Sequence, residues 1–203
     1  MENGAIHRLV EQHAASRPAA TALVDRSRAM SYRELNFRAN ACARKLLGRG
    51  FKRGAHAVVR MAPGADLAVV LLAVLKSGGS YTWIDPRQPS SDGYPAGVSI
   101  APAGLSDPSA YVPLDDDAVL ASDGQPSPNL PVLTRPSDVA CVLLGCGGAP
   151  EVLVPHATVV GMQRAAAPSR TWIGEPGALD LWVMLMSGAT VETTTAQEAA
   201  VAA

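Results

Sequence analysis

Few residues in this chain have the types and spacing that chemistry needs. Cys146 stands in a glycine-rich turn after an apolar run, "VACVLLGCGGAPE", where nucleophiles occur, yet no His or Asp is spaced to serve it. An incidental thiol is the better reading. Gly145, Gly147 and Gly148 could cradle an anion through backbone N–H groups, but three close glycines read first as a tight turn. Asp115, Asp116 and Asp117 have the charge of a Mg²⁺ cluster, and solvated loop acids explain them more simply. His7, His13, His56 and His156 are dispersed without metal-ligand spacing, so no metal site is expected. Cys42, Cys141 and Cys146 are odd in number and lack C-x-x-C spacing, which favours reduced thiols over a disulfide framework.

The elements that must position these residues come from composition and periodicity. At 203 residues, 48% hydrophobic and 17% charged, the chain can bury a core and is not disordered as a whole. A net charge of −1 excludes the electrostatic footprint of a nucleic-acid binder. The most apolar run, Leu67 to Leu75, is roughly half a membrane span, and the N-terminus lacks a signal-peptide pattern. No membrane association and a cytoplasmic location are therefore expected.

Residues 5–15 put Ile6, Leu9, Val10 and His13 on one helical face, and Pro18 ends that segment. "TALVD" (21–25) reads as a strand followed by a charged turn. Ser31 and Glu34 have capping-box spacing for a helix to about Leu47, with Leu35, Ala39, Cys42 and Leu46 inward. A strand over 55–61, an apolar helix over 65–76 and a strand over 80–84 follow, and the β-α-β-α-β order suits a mainly parallel sheet flanked by helices. Residues 87–137 hold nine of the sixteen prolines and six aspartates, which predicts a long acidic loop region with at most a short strand in 111–120. Order resumes at Asp138 with strand, Gly-rich turn, strand and a helix near His156, then an apolar helix over about 178–187 and a strand from Ala189. The expected organisation is one domain in three parts: 1–86, 87–137 and 138–203.

"MSYREL" and "VVLLAVLKSGGSYTWIDPRQP" resemble the first two core motifs of the adenylation domains of nonribosomal peptide synthetases, within the adenylate-forming (AMP-binding) superfamily. "IHRLVEQHAASRPAATALVD" is similar to their lead-in, and "LDLWVMLMSGATV" to their fourth motif region. The ordered succession is more specific than any single match. It implies an α/β fold, that of part of an adenylation domain's N-terminal subdomain. His156 matches a family position that opens a helix, with a cap or packing role. Trp83 stands where the family has an apolar residue or Pro, and is expected in the core; Trp172 and Trp182 read as core too, or one of them as an exposed interface residue.

The third motif departs from the family pattern. There the resemblance implies a hydroxyl-rich loop with a lysine that wraps the phosphates of ATP. Here the flanks "DVACVLL" and "VLVPH" enclose only Gly145, Cys146, Gly147, Gly148, Ala149, Pro150 and Glu151. The stretch is about three residues short and has no Ser or Thr, and Glu151 falls at or beside the lysine position. A carboxylate 4 Å from a phosphate charge costs about 1–4 kcal/mol in a wet or partly screened site. The family's later substrate motif, ribose-binding aspartate and catalytic lysine have no counterpart in these residues.

These departures lead to an expectation of a truncated pseudoenzyme with no catalytic residues and no cofactor. It would act by contact with a nonribosomal peptide synthetase component, as scaffold or activator, with homodimerisation a weaker companion. The alternative is an amino- or aryl-acid-adenylating ligase, or one half of a split adenylation enzyme.

Overall fold

The computed structural model describes residues 4–25, 28–87, 97–101, 112–114, 127–131, 134–144, 151–165, 171–172 and 178–193. Helix α1 (Ile6–Ser16) is followed by strands β1 (Thr21–Val24) and β2 (Ala29–Ser31). Helix α2 (Tyr32–Gly48) leads to β3 (His56–Arg60), α3 (Ala65–Lys76) and β4 (Ser80–Ile84). Next come β5 (Gly97–Ala101), β6 (Val112–Leu114), β7 (Val139–Leu143) and β8 (Val152–Pro155). The described part ends with α4 (His156–Ala165), β9 (Thr171–Trp172), α5 (Leu179–Ser187) and β10 (Val191–Thr193).

The strands form two sheets, one of order β2-β1-β10-β9 and one of order β6-β5-β3-β4-β7-β8. The pairings β1–β10, β10–β9, β3–β4 and β4–β7 are parallel. The pairings β1–β2, β3–β5, β5–β6 and β7–β8 are antiparallel. The α/β class thus holds, but both sheets are mixed rather than mainly parallel, since antiparallel pairings equal parallel ones in number among the described strands. The helix-joined crossover β3-α3-β4 is of the kind a parallel pair requires, whereas β7 and β8 need only a hairpin loop.

Three features differ from the sequence reading. β1 does not lie beside β3 and β4, because it pairs with β10 from the far end of the chain. Local periodicity carries no information about such a partner. β2 (Ala29–Ser31) lies between the charged turn and the helix that Ser31 caps, where the sequence reading places no strand. β5 lies inside the Pro-rich region and continues the six-stranded sheet beside β3, so that region contributes two strands rather than one.

Helix α3 explains how the layers hold. Leu67 through Leu75 are all 0% exposed, so the helix is apolar on every side and sits inside the molecule. Helix α2 packs on it through Leu35, Ala39, Cys42, Ala43 and Leu46, all buried. Ser31 caps α2 as its spacing suggests, with its Oγ accepting the Glu34 N–H at 3.1 Å. Of the two charged residues of α3, Asp66 is half-exposed at its first turn and Lys76 is buried at its last. Lys76, 1% exposed at its side chain, pairs with Glu11 of α1, 6% exposed.

The two regions that carry the family resemblance also meet in space. Tyr32 of "MSYREL" places its hydroxyl 3.0 Å from the Leu185 carbonyl and 2.8 Å from that of Ala189, so its single proton is shared by the turn after α5. In the same turn His13 Nε2 donates to Met186 O at 2.8 Å. Gly188 there has a φ of 77°, a left-handed conformation in which glycine carries no Cβ penalty.

Candidate functional site

The predicted glycine-rich loop joins β7 to β8. The ladder closes on the pair Leu143–Val152, so the connection is fixed as Leu144 to Glu151, "LGCGGAPE". Gly145, Cys146, Gly147, Gly148, Ala149 and Pro150 lie outside the described residues, as do Asp115, Asp116 and Asp117. Glu151 is described, and it is exposed where the loop enters β8. Val152 and Leu153 follow it at 52% and 61% exposure on β8, the edge strand of the sheet among the described residues.

Beside this edge runs a groove of about 740 Å³, lined in part by Arg53, His56, Ser80, Val142, Glu151 and Leu153. It lies on the sheet face opposite α2 and α3. On that face Val58, Ile84 and Val142 make a small apolar cluster separate from the main core. Arg53 and Asp138, an ion pair at 3.9 Å, stand at one end.

Strand register sets a polar row at the same end. In the parallel β3–β4 pair His56 is opposite Ser80 and Val58 opposite Thr82, so the imidazole lies between two hydroxyls on one face. Thr82 Oγ1 donates to Val142 O at 3.2 Å. With its proton committed there, Thr82 accepts from His56 Nε2–H across 3.0 Å. His56 Nδ1 is therefore unprotonated and accepts the Ser80 hydroxyl across 2.8 Å. Burial holds His56 down at about 4, so the neutral ring is the form present.

The remaining candidates are structural. His156 is fully buried at the start of α4, and its Nδ1 accepts the Ile6 N–H at 3.3 Å. Its ring meets His7 edge-on with centroids 5.9 Å apart. Trp83 and Trp182 are buried, their indole N–H groups donating to Met61 O at 2.9 Å and to the Tyr81 hydroxyl at 2.6 Å. The side chain of Trp172 lies outside the described residues. Burial pushes the Cys42 and Cys141 thiols up to about 12, which makes both inert at neutral pH. Among the described residues no group of three or more His, Cys, Asp or Glu could hold a metal ion.

Sequence reading passed over the His56–Ser80–Thr82 row and the Glu11–Lys76 pair. The available signal for the row was two strands of equal length, each with a polar residue at its start. For the pair it was a lysine ending a helix that is otherwise apolar.

Comparison with known proteins fits this architecture. The model of the AMP-binding enzyme family matches residues 10–92. Bacitracin synthase 1 of Bacillus licheniformis is 35% identical over 159 residues, 74% of this chain and 3% of that protein. Surfactin synthase subunit 2 of Bacillus subtilis (strain 168) is 30% identical over 81% of this chain and 5% of its own length. The chain belongs to the AMP-binding enzyme family. Its resemblance is to the adenylation domains of nonribosomal peptide synthetases. The fold agrees at low identity. The N-terminal subdomain of Klebsiella oxytoca NpsA, solved with 3-hydroxyanthranilyl-AMSN, superposes with a TM-score of 0.74 at 20% identity, covering 94% of this chain and 53% of that one. The nonribosomal peptide synthetase FmoA3, solved with AMPPNP bound, gives 0.72 at 21% identity over 93% of this chain and 22% of its own. The chain thus spans a few per cent of the synthases it matches and about half of the NpsA subdomain.

Proposed function

We propose that this chain serves nonribosomal peptide biosynthesis by protein contact and does not itself adenylate a substrate. The β7–β8 connection carries the reading. It is closed by the Leu143–Val152 pair, contains no Ser, Thr or Lys, and ends on the exposed carboxylate of Glu151. A phosphate cradle needs N–H and hydroxyl donors with positive charge beside them, and here the charge that adjoins the loop is negative. The same strand exposes Val152 and Leu153 at an edge with no second neighbour among the described residues, the kind of apolar edge that a partner covers.

Titration calorimetry with ATP and with AMP, each with Mg²⁺, should give no binding heat at millimolar nucleotide. Co-purification with an adenylation domain or module of a nonribosomal peptide synthetase should retain the chain, and Leu153→Asp should release it. ATP–pyrophosphate exchange by the chain alone would overturn the proposal.

A further inference from the structure

The groove beside β7 and β8 contains one arrangement that neither the family resemblance nor the contact reading uses. Ser80, His56 and Thr82 form a directed chain: Ser80 O–H to His56 Nδ1 at 2.8 Å, His56 Nε2–H to Thr82 Oγ1 at 3.0 Å, and Thr82 O–H to Val142 O at 3.2 Å. The relay has a terminus, because the Val142 carbonyl can only accept. That fixes the direction of every bond before it and leaves the unprotonated nitrogen facing the serine. A hydroxyl within hydrogen-bond reach of a neutral imidazole, with the ring held by a third group, is the signature of an activated nucleophile. Ser80 and His56 both line the groove and are half-buried rather than sealed in the core. The walls beside them are Val139, Val142 and Leu153, which suit a short acyl chain, and Arg53 stands at the same end.

We propose that Ser80 is an acyl-accepting nucleophile for short-chain activated esters, with His56 as its base and Thr82 as the positioning residue. In the step, Ser80 Oγ bonds to the acyl carbon as the bond to the leaving oxygen breaks. The hydroxyl proton passes to His56 Nδ1 and from there to the departing alkoxide or phenoxide, so the imidazole returns to its starting form. The products are an acyl-Ser80 ester and a free alcohol or phenol, with no oxidant or reductant involved. This site does not depend on the contact reading, and nucleotide titration has no bearing on it.

The test treats the chain with p-nitrophenyl acetate and p-nitrophenyl butyrate. It follows p-nitrophenolate release and locates the acyl group by peptide mass spectrometry. The expected result is a stoichiometric adduct on the peptide containing Ser80, formed faster from the butyrate. Ser80→Ala should abolish that adduct while leaving the far-UV spectrum and melting temperature intact. His56→Gln should slow acylation about 10²-fold, in line with the loss of a general base. Thr82→Val should slow it and Thr82→Ser restore it, a rescue that a purely packing role for this side chain would not produce. Absence of an adduct, an adduct only at lysines or the N-terminus, or acylation of His56→Gln at the wild-type rate would each overturn the proposal.

Discussion

Lys76 and Glu11 show what a single buried pair does in an apolar interior. Burial pulls the Lys76 ammonium below its ordinary range, and the adjoining Glu11 carboxylate partly offsets this. The pair joins α1 to the end of α3, with side chains 1% and 6% exposed. Glu11→Ala would leave a buried ammonium without its counter-charge, and should cost about 3–5 kcal/mol in urea unfolding. The double replacement Glu11→Leu with Lys76→Met removes both charges and should recover most of that loss, since an apolar pair of similar volume is often as stable as a buried ion pair. A double variant no more stable than Glu11→Ala would show that the pair's value lies elsewhere. In the sequence Lys76 is merely the last residue of an apolar helix and Glu11 a polar position on α1. Their meeting across 65 residues depends on how α1 crosses α3.

At the scale of elements, the turn from α3 into β4 sets where Ser80 and Thr82 fall. Gly79 N–H donates to Val74 O at 3.1 Å, and Ser80 N–H to Ala55 O at 3.0 Å, which locks β4 in register with β3. A Cβ at Gly79 would lie 2.7 Å from the Ala55 carbonyl oxygen and would run into the Phe51 ring. Backbone and a buried ring cannot yield as an exposed side chain can. Gly79→Ala should therefore lower stability by about 1–3 kcal/mol, checked by the denaturation midpoint, and should blunt any Ser80 acylation by shifting the register. A midpoint unchanged from wild type would count against this packing account. The helices α1, α2, α3 and α5 and the strands β3 and β4 were legible because apolar period, capping residues and glycine stops agree there. The strand β5 was not, because proline and aspartate density reads as loop, while strand pairing with β3 is a tertiary event.

For the whole molecule, histidines join parts that are distant in sequence and give it an acid-sensitive interior. Burial holds His156 down at about 4, with Asp138 opposing slightly, and His56 at about 4 as well. Burial, then the neighbouring His156 and Lys76, hold His7 well below its ordinary value. Each folded-state value is depressed, so the unfolded chain takes up protons first as pH falls. Stability is full above about pH 6.5 and declines toward pH 4, by on the order of 3 kcal/mol for each of His56 and His156. Melting temperature should fall steadily across that window, and His156→Gln should flatten the fall; a melting temperature constant to pH 4 would contradict it. The sequence by itself determined the α/β class, the family resemblance, the buried helix α3 and the hydroxyl-free loop ending on Glu151. These are properties of local pattern, residue type and motif order. Tertiary structure alone decided the division into two sheets, the Glu11–Lys76 pair, the place of β8 at the edge of the described sheet and the Ser80–His56–Thr82 row. Each of these depends on which distant strands and helices become neighbours, and contacts of that range leave no periodic trace in the chain.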